Sequence, residues 1–466
     1  MKYDTATWLF TTAALLRGAF AQFSPVDAQH RLLGADESKA SNPGGAQLPR
    51  AGEFTKLEQH PAVCDAGSKQ WAGKVGISDE SRFFESRNDP ANDPVILYLD
   101  GGPGMTSMAS LFSGFGPCLV DDESHNVTAQ NPFSWTNFAN VVFIDQPTGV
   151  GFSTNLGPDS GAPDPLANVA SDMSTFLDIF FTRVFPQVGQ NDLHLAGNSF
   201  AGHFVPGIVA EISRRQREHV PGTPTKAFDS IILYNGVLYY AATFDGGMYD
   251  HFCRPDTSAP GHLNETACRT IAERLPECER LQAKCIATYD VDVCTTSTEV
   301  CAATHAEWLQ GETGDIDLDD DRRVCEDVFN CGYTSRAFID YLNLPAVQRA
   351  IFGQDAHVGK FIQYNESVAM TWSTTGASFL PTTRQMSYIL DETDVAVLMV
   401  NGNNDCLVVG GETSTGTCKG ADKLSFFTVD ESGHMPAKDQ KESMSDLMKL
   451  WVGGDRKEEF CSEFGV

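Results

Sequence analysis

The sequence has little positive charge. It contains 33 Lys and Arg residues against 62 Asp and Glu residues, which gives a formal net charge of −29. Proteins that bind nucleic acid or an anionic membrane surface need clustered basic residues, so neither is expected as a partner. The charge suits solubility in an acidic medium, where many of these carboxylates are partly protonated.

After its first 21 residues, the sequence also lacks an apolar run of membrane-spanning length. Lys2 precedes the short apolar segment 6–16, and Ala-Phe-Ala at 19–21 has the small-x-small pattern of a signal-peptidase site. A bilayer span needs about 20 apolar residues. We therefore predict a cleaved signal peptide over 1–21 and a soluble exported protein, either extracellular or vacuolar.

The 13 cysteines include no paired CxxC spacing, which argues against a zinc site. Disulfides in an oxidising compartment are the expected alternative, and the odd total leaves at least one thiol without a partner in this chain. Three sequons agree with export and predict glycosylation at Asn126, Asn264 and Asn365. No metal and no cofactor are predicted.

One acidic stretch has partial calcium-loop spacing. Acidic residues alternate from Asp315 to Asp321, and Glu326 is twelfth from Asp315. The sixth position is Asp320, however, where the sharp turn of such a loop needs glycine. A solvated acidic loop is therefore the favoured interpretation.

The strongest functional pattern lies at residues 193–206. An apolar run that predicts a buried strand leads into Gly-Asn-Ser-Phe-Ala at 197–201, and a helical apolar pattern follows. A serine on such a strand-to-helix turn is typical of the nucleophile elbow of α/β-hydrolases. Gly197 and Ala201 flank Ser199, because larger side chains would clash where the strand folds back against the helix.

Two further residues complete a catalytic set in the order Ser, Asp, His. Asp405 follows the apolar segment 398–400, and His434 follows the apolar segment 424–429. Both are therefore expected at the carboxyl ends of strands, where open α/β sheets place their active sites. His203 and Asp145 are assigned structural roles instead.

The remaining pattern predicts an α/β fold with a mostly parallel central sheet and helices on both faces. Near-continuous apolar runs at 95–99, 141–144 and 231–234 indicate strands buried on both faces. Residues 22–60 read as a polar arm or propeptide. The predicted core comprises 61–237 and 331–466, and a cysteine-rich insertion spans 238–330.

Several motifs resemble the serine carboxypeptidase family of α/β-hydrolases, in its fungal form. They include Asp-Gly-Gly-Pro-Gly at 100–104, Asp-Gln-Pro-Thr-Gly at 145–149, the serine elbow and Gly-His-Met at 433–435, in family order from about residue 64. The resemblance implies a cap formed by the insertion, a Cys325–Cys331 disulfide, and a peptide or small acyl substrate. It also implies a triad of Ser199, Asp405 and His434.

The same resemblance assigns the oxyanion donors and part of the substrate site. The backbone N–H groups of Gly102 and Phe200 are expected to bind the oxyanion, since Gly101 and Gly102 let the backbone approach the substrate. Gly101 and Met435 are assigned to the substrate-binding site.

Three positions depart from the family pattern. Family carboxypeptidases bind the substrate's free carboxylate with one asparagine and two glutamates, and these positions correspond here to Asp100, Gly114 and Asn198. An ionised aspartate repels a carboxylate and glycine donates nothing, although Asn198 retains an amide donor. The sequence therefore predicts altered carboxylate recognition, with a peptide acid and its amide cleaved at rates within about tenfold.

Three functions remain open from the sequence. The first is a secreted serine carboxypeptidase-like hydrolase that cleaves C-terminal residues through an acyl-enzyme. The second is an acyltransferase or esterase of secondary metabolism that uses the same triad. The third, a catalytically weak binding protein, is least favoured because all three catalytic residue types are present. The spacing of 29 residues between Asp405 and His434 is shorter than the family's.

Overall fold

A computed structural model describes most of the chain from residue 52 onwards. The predicted signal peptide 1–21, most of the predicted arm 22–60, and Cys325 and Cys331 lie outside the described residues. The described residues are 52–76, 80–153, 164–244, 246–253, 263–312, 316–317, 319–324, 336–353, 359–405, 418–454 and 460–461.

Fourteen strands are described, and ten of them form one sheet in the order β1-β2-β3-β7-β4-β8-β9-β12-β14-β13. Pairing is parallel from β7 across to β14 and antiparallel at both edges. The strands are β1 Leu57–Glu58, β2 Gln70–Lys74, β3 Glu80–Phe84, β4 Val95–Leu99, β5 Cys118–Val120, β6 Thr128–Gln130, β7 Asn140–Asp145, β8 Leu193–Asn198, β9 Ser230–Tyr234, β10 Ile316–Asp317, β11 Asp320–Val324, β12 Ala396–Gly402, β13 Cys418–Ala421 and β14 Leu424–Val429.

Helices cover both faces of this sheet, as the sequence predicts. The helices are α1 Met108–Ser113, α2 Pro165–Ile179, α3 Ala201–Arg217, α4 Gly246–Cys253, α5 Glu265–Thr288, α6 Val291–Glu312, α7 Arg336–Leu342, α8 Pro345–Phe352, α9 Glu366–Thr374, α10 Thr383–Glu392, α11 Pro436–Asp439 and α12 Lys441–Gly453. One face of the sheet packs against α2 and α3, and the other packs against α1, α7, α8 and α12.

The central strands are buried on both faces, which is typical of a parallel sheet. Every residue of β4, β7, β8 and β9 is buried, because helices cover both faces of these strands. Such strands need side chains that are apolar throughout rather than alternating, as the apolar runs of the sequence indicate. The expected mostly parallel α/β fold is confirmed.

Two edges of the sheet differ from the sequence-based expectation. Leu57–Glu58 pairs with β2, so the sheet begins before the predicted core boundary at residue 61. Strand β13 pairs with β14 in an antiparallel manner, in a glycine-rich segment that gave no strand signal. The disulfide Cys418–Cys461 links β13 to the C-terminal segment.

The helices within the predicted insertion are held by short-range disulfides. Helices α5 and α6 pack side by side, and the described pairs are Cys253–Cys268, Cys278–Cys301 and Cys285–Cys294. Disulfides fix such a small helical unit, whose own core is limited. Within the described residues, no helix is both long and apolar enough to cross a bilayer.

Two predicted glycosylation sites are exposed and one is half-buried. Asn126 and Asn264 are exposed. Asn365 is half-buried, and its side-chain nitrogen donates to the backbone carbonyl of Gly149 at 2.8 Å. The geometry thus favours Asn126 and Asn264 as glycan acceptors, and all three sites stay predictions.

Candidate active site

Ser199 lies on a tight turn between β8 and α3. Its φ angle is +60°, in the left-handed region that non-glycine residues seldom adopt. Its N–H donates to the carbonyl of Tyr234 at 2.9 Å, which ties the turn to the neighbouring strand β9. Backbone strain held in place by surrounding structure is typical of a nucleophile elbow.

Small residues allow this turn to pack closely. A Cβ atom on Gly197 would lie 2.4 Å from the Cβ of Ala201, as the sequence analysis anticipates. A Cβ on Gly101 would lie 2.4 Å from the backbone nitrogen of Phe200. The segment that carries Gly102 therefore runs directly against the elbow, so the two expected oxyanion donors belong to adjoining backbone segments.

His434 and Asp405 form a buried pair at the carboxyl ends of β14 and β12. The distance from His434 Nδ1 to Asp405 Oδ2 is 2.7 Å. The loops that carry them are in close contact, since a Cβ on Gly402 would lie only 2.3 Å from the carbonyl oxygen of Gly433. The short spacing of these two residues in the sequence therefore does not keep them apart.

Asn235 connects these loops, a role that was not predicted from the sequence. Its side chain donates to the carbonyl of Gly433 at 3.0 Å and accepts from the N–H of Gly402 at 2.9 Å. It is fully buried directly after β9. Its position at the end of a predicted parallel strand was the available signal.

Nearby carboxylates raise the pKa of His434. Burial by itself lowers the pKa of His434, but the negative charges of Asp405 and Asp319 and the hydrogen bond to Asp405 outweigh it and raise the pKa to about 9. A histidine that must accept a proton needs to be neutral first. The carboxylates thus stabilise the imidazolium form of His434 and oppose formation of the neutral imidazole.

The acidic stretch around Asp319 is not the solvated loop that the sequence favours. Asp317, Asp320 and Asp321 are buried in and beside the β10–β11 hairpin. Asp320 forms an ion pair with Arg322 at 2.7 Å. Burial is tolerated because these carboxylates have cationic or hydrogen-bonding partners.

The same hairpin packs against the loops that carry His434 and Asp405. The N–H of His434 donates to the carbonyl of Asp319 at 2.7 Å. The side chain of Asn404 donates to Asp321 at 2.8 Å, and Asp321 also lies 2.8 Å from the ring nitrogen Nε2 of His251. The two outer positions of the possible calcium loop, Asp315 and Glu326, lie outside the described residues.

His203 and Asp145 are built into the core, as assigned. His203 stacks on Phe200 with ring centroids 4.3 Å apart, and burial lowers its pKa to about 4. Asp145 accepts hydrogen bonds from the Thr106 hydroxyl at 2.6 Å and the Ser107 N–H at 2.9 Å. Both side chains serve packing and loop anchoring.

Comparison with known proteins gives the family. The sequence profile described as serine carboxypeptidase matches residues 66–414, which is most of the chain. The chain belongs to the serine carboxypeptidase family. This match includes Ser199 and Asp405 and ends before His434. The resemblance inferred from the motifs is thus confirmed.

Individual relatives agree over most of their length. The chain is 30% identical over 431 residues to the vacuolar serine-type carboxypeptidase ATG42 of Saccharomyces cerevisiae, covering 83% of this chain and 80% of that one. It is 30% identical over 423 residues to carboxypeptidase Y of Candida albicans, covering 84% and 74%.

A solved structure supports the fold. Kex1(delta)p, a prohormone-processing carboxypeptidase from Saccharomyces cerevisiae, superposes with a TM-score of 0.64 at 17% identity. The superposition covers 89% of this chain and 94% of that chain. The α/β-hydrolase architecture expected for a serine carboxypeptidase is therefore the one observed.

This serine carboxypeptidase has a narrow cleft next to the residues that precede Ser199 and follow His434 in the sequence. It brings together Gly114, Asn198 and Met435, three of the predicted substrate-binding residues. The other lining residues are Tyr98, Phe115, Tyr234, Pro436, Ala437 and Lys438. Tyr234 and Lys438 were not among the residues predicted from the sequence.

Asn198 is already engaged within the protein. Its side-chain nitrogen donates to the backbone carbonyls of His434 at 3.0 Å and Tyr234 at 3.1 Å, the amide orientation that its neighbours require. Both hydrogen-bonding contacts of this nitrogen are therefore with the protein itself, and a role of Asn198 in substrate binding stays a prediction. Asn198 ties the elbow to the histidine loop.

Asp100 lies behind the cleft wall, as a member of a hydrogen-bonded group. It accepts from the Tyr98 hydroxyl at 2.9 Å and from the Ser110 hydroxyl at 2.9 Å. Burial raises the pKa of Asp100 to about 6, although these hydrogen bonds oppose the shift. Below that pH the repulsion of a nearby substrate carboxylate by Asp100 is largely removed.

Proposed function

We propose that this protein cleaves C-terminal residues from peptides through an acyl-enzyme on Ser199, with a carboxylate site that differs from the family pattern. The observation that carries the proposal is the buried His434–Asp405 pair, 2.7 Å apart, in a chain whose Ser199 occupies a strained elbow. Family membership supports peptides as the substrate class.

In the proposed mechanism, His434 removes the proton of Ser199 as Oγ attacks the carbonyl carbon of the last peptide bond. Asp405 holds the imidazole orientation and stabilises the imidazolium. The N–H groups of Gly102 and Phe200 donate to the developing oxyanion. His434 then protonates the departing amine, and water attacks the acyl-enzyme with His434 again as base.

Labelling with a fluorophosphonate probe tests this assignment. Ser199→Ala is expected to abolish labelling, because a phosphonate reacts with the activated serine hydroxyl. A matched control is Ser443→Ala, which removes an exposed hydroxyl on α12. Labelling that persists in Ser199→Ala, or a wild-type protein that neither labels nor hydrolyses an N-blocked peptide, would contradict the proposal.

A second function, acyl transfer, is supported by one observation. The donors of Asn198 are occupied by backbone carbonyls, and Gly114 has no side chain. These two positions therefore offer no side-chain hydrogen bond to a peptide carboxylate, unlike the family pattern. The acyl-enzyme would then pass its acyl group to an alcohol or amine. Product analysis with an N-blocked ester and added glycerol separates transfer from hydrolysis.

The proposed location is a secretory or vacuolar compartment. The disulfides between cysteines far apart in the sequence, such as Cys64–Cys118, favour an oxidising route. Residues 238–330 are proposed as the cap, and glycosylation and signal-peptide removal belong to the same proposal. Intact mass before and after deglycosylation and reduction tests it, and an unmodified protein that begins at Met1 would contradict it.

A further inference from the structure

The hairpin formed by β10 and β11 belongs to the predicted insertion, yet it contacts the loop that carries Asp405. Asp321 in this hairpin makes two hydrogen bonds to Asn404, the residue that precedes Asp405. The N–H of Asp321 donates to the Asn404 carbonyl at 3.1 Å, and Asp321 Oδ1 accepts from the Asn404 side chain at 2.8 Å. Two bonds between the same two residues fix the position and orientation of Asn404, so they also restrain Asp405.

The loop that carries His434 is held by the same hairpin. The N–H of His434 donates to the carbonyl of Asp319, which lies between β10 and β11, at 2.7 Å. The N–H of Asn404 donates to the carbonyl of Ser432, in the loop before His434, at 2.9 Å. Asn404 therefore contacts both the hairpin and the histidine loop, and its position affects both members of the candidate catalytic pair.

Arg322 adds a further contact between the hairpin and the histidine loop. Its side chain lies 3.4 Å from Asp439 Oδ2, and the same oxygen accepts from the N–H of Gly433 at 2.9 Å. Gly433 directly precedes His434, so consecutive N–H groups of this loop have acceptors that the hairpin provides or contacts. Such surrounding bonds keep a catalytic side chain within the narrow range of productive positions.

The carboxylate of Asp321 is itself held by two partners. Its side chain is only 1% exposed, and a buried carboxylate is costly unless its oxygens are hydrogen-bonded. Asn404 donates to Oδ1, and Nε2 of His251 lies 2.8 Å from Oδ2. Because an ionised carboxylate only accepts, the ring nitrogen of His251 is the donor. Loss of His251 would therefore weaken the placement of Asp321.

His251 belongs to the insertion and is fixed by it. It lies in α4, where its ring packs edge-on against Phe252 with ring centroids 4.9 Å apart. Phe252 is fully buried in a small apolar core between α4 and α5, and the disulfide Cys253–Cys268 joins these two helices. The insertion thus offers a firmly placed donor to the carboxylate that supports Asn404.

We propose that Asp321 is a positioning residue for the His434–Asp405 pair, and that His251 of the insertion acts through Asp321. The inference rests on the proposed hydrolase function, in which this pair activates Ser199. It gives the insertion a part in catalysis beyond covering the site. The hairpin and α4 hold the core loops in which the base and its carboxylate partner lie.

The test measures kcat and KM for an N-blocked peptide amide, with kcat expressed per serine that a fluorophosphonate labels, so that unfolded protein is not counted. Asp321→Ala is expected to lower kcat about tenfold to a hundredfold, the size reached when a catalytic group is slightly misplaced, while KM changes little. Asp321→Asn keeps an oxygen that accepts from Asn404 and should retain more of kcat than Asp321→Ala. The control Asp446→Ala removes an exposed carboxylate of α12 and should leave both constants at their wild-type values.

A double-mutant cycle tests the part assigned to His251. His251→Leu should lower kcat, because Asp321 Oδ2 then loses its donor. The double variant with Asp321→Ala should lose no more kcat than Asp321→Ala alone, since a residue that acts through another adds nothing once the other is gone. Losses that multiply in the double variant would show that His251 acts independently and would overturn this part of the inference.

Asn404→Ala provides a further arm, in case Asp321→Ala fails to fold in a thermal melt. It removes the side-chain donor alone and should lower kcat about tenfold with little change in KM. Wild-type kcat in folded Asp321→Ala or Asn404→Ala, or a change confined to KM, would overturn the inference and leave the proposed hydrolase function intact. A wild-type protein that does not hydrolyse the amide would contradict the proposed function itself, and the inference with it.

Discussion

At the scale of single residues, the most consequential group is His434, because several carboxylates surround the proposed base. Its pKa is raised to about 9 by Asp405 and Asp319, against the lowering effect of burial. Only the neutral imidazole accepts the Ser199 proton. For an N-blocked peptide amide, which has no titrating carboxylate, kcat/KM should therefore rise with pH and level off near pH 9, since kcat/KM reports the free enzyme.

Asp319 should contribute measurably to that profile. Its removal takes away a negative charge that stabilises the imidazolium, so the His434 pKa should fall and the rising limb should move to lower pH. For Asp319→Asn we expect a shift on the order of one pH unit, or 1.4 kcal/mol. Stopped assays of the peptide amide at pH values from about 5 to about 10 measure the rising limb of the pH profile directly.

The control for this measurement is Asp446→Asn, which changes net charge equally at an exposed position on α12. It should leave the limb unchanged, because the charge is remote and screened by solvent. A limb that stays in place in Asp319→Asn, or moves to higher pH, would show that Asp319 does not act on His434.

At the scale of elements, the elbow and the glycine segment after β4 depend on each other. A Cβ on Gly101 would lie 2.4 Å from Phe200 N, 2.7 Å from Asn198 O and 2.9 Å from Ala201 N. All three are backbone atoms, so the segment as a whole must move. Displacing an oxyanion donor typically costs about a hundredfold to a thousandfold in kcat.

Gly101→Ala should therefore lose about a hundredfold or more in kcat for the peptide amide. Gly453→Ala is the matched control, because a Cβ there has no neighbour within 4 Å. Thermal melts of both variants separate a loss of catalysis from a loss of folding. Wild-type kcat in Gly101→Ala would mean that the segment bearing Gly102 is not part of the oxyanion site.

At the scale of the whole molecule, buried carboxyl groups connect stability to pH. Burial raises the pKa of each of Asp100, Asp145 and Asp319 to about 6, from an ordinary value of 3.8. The folded state therefore holds these protons more tightly than the unfolded state does. Their contribution is present at low pH and is lost as pH rises from about 4 through about 6.

His434 acts in the same direction at higher pH. Its raised pKa contributes stability that is complete below the ordinary value of 6.5 and is lost as pH rises through about 9. Self-repulsion from the formal net charge of −29 increases as the carboxylates ionise. All three effects favour the folded state in mildly acidic solution.

Because of these pKa shifts, we expect Tm to be several degrees higher at about pH 5 than at about pH 8. Asp100→Asn should reduce that difference, because asparagine preserves the acceptor for Tyr98 without a titrating proton. Asp446→Asn should not reduce it. Calorimetric melts across this range give the comparison, and an equal or higher Tm near pH 8 would contradict it.

The sequence alone determined the parallel core and the order of the candidate catalytic residues in it. Buried parallel strands require near-continuous apolar runs, and Ser199, Asp405 and His434 each follow such a run. The elbow can also be predicted from the sequence. Its sharp turn at Ser199 and its close packing at Gly197 and Ala201 depend on residues that are neighbours in the sequence.

Tertiary structure alone decided what surrounds these residues. Lys438 meets Gly114 and Tyr234 in one cleft, and Asp319 reaches His434, although these residues are far apart along the chain or on separate elements. The acidic stretch is buried rather than solvated because Arg322, His251 and Asn404 supply partners that no local pattern reveals. The charge state of a buried group depends on such distant contacts, since its environment is set by what packs against it and not by its neighbours in the sequence.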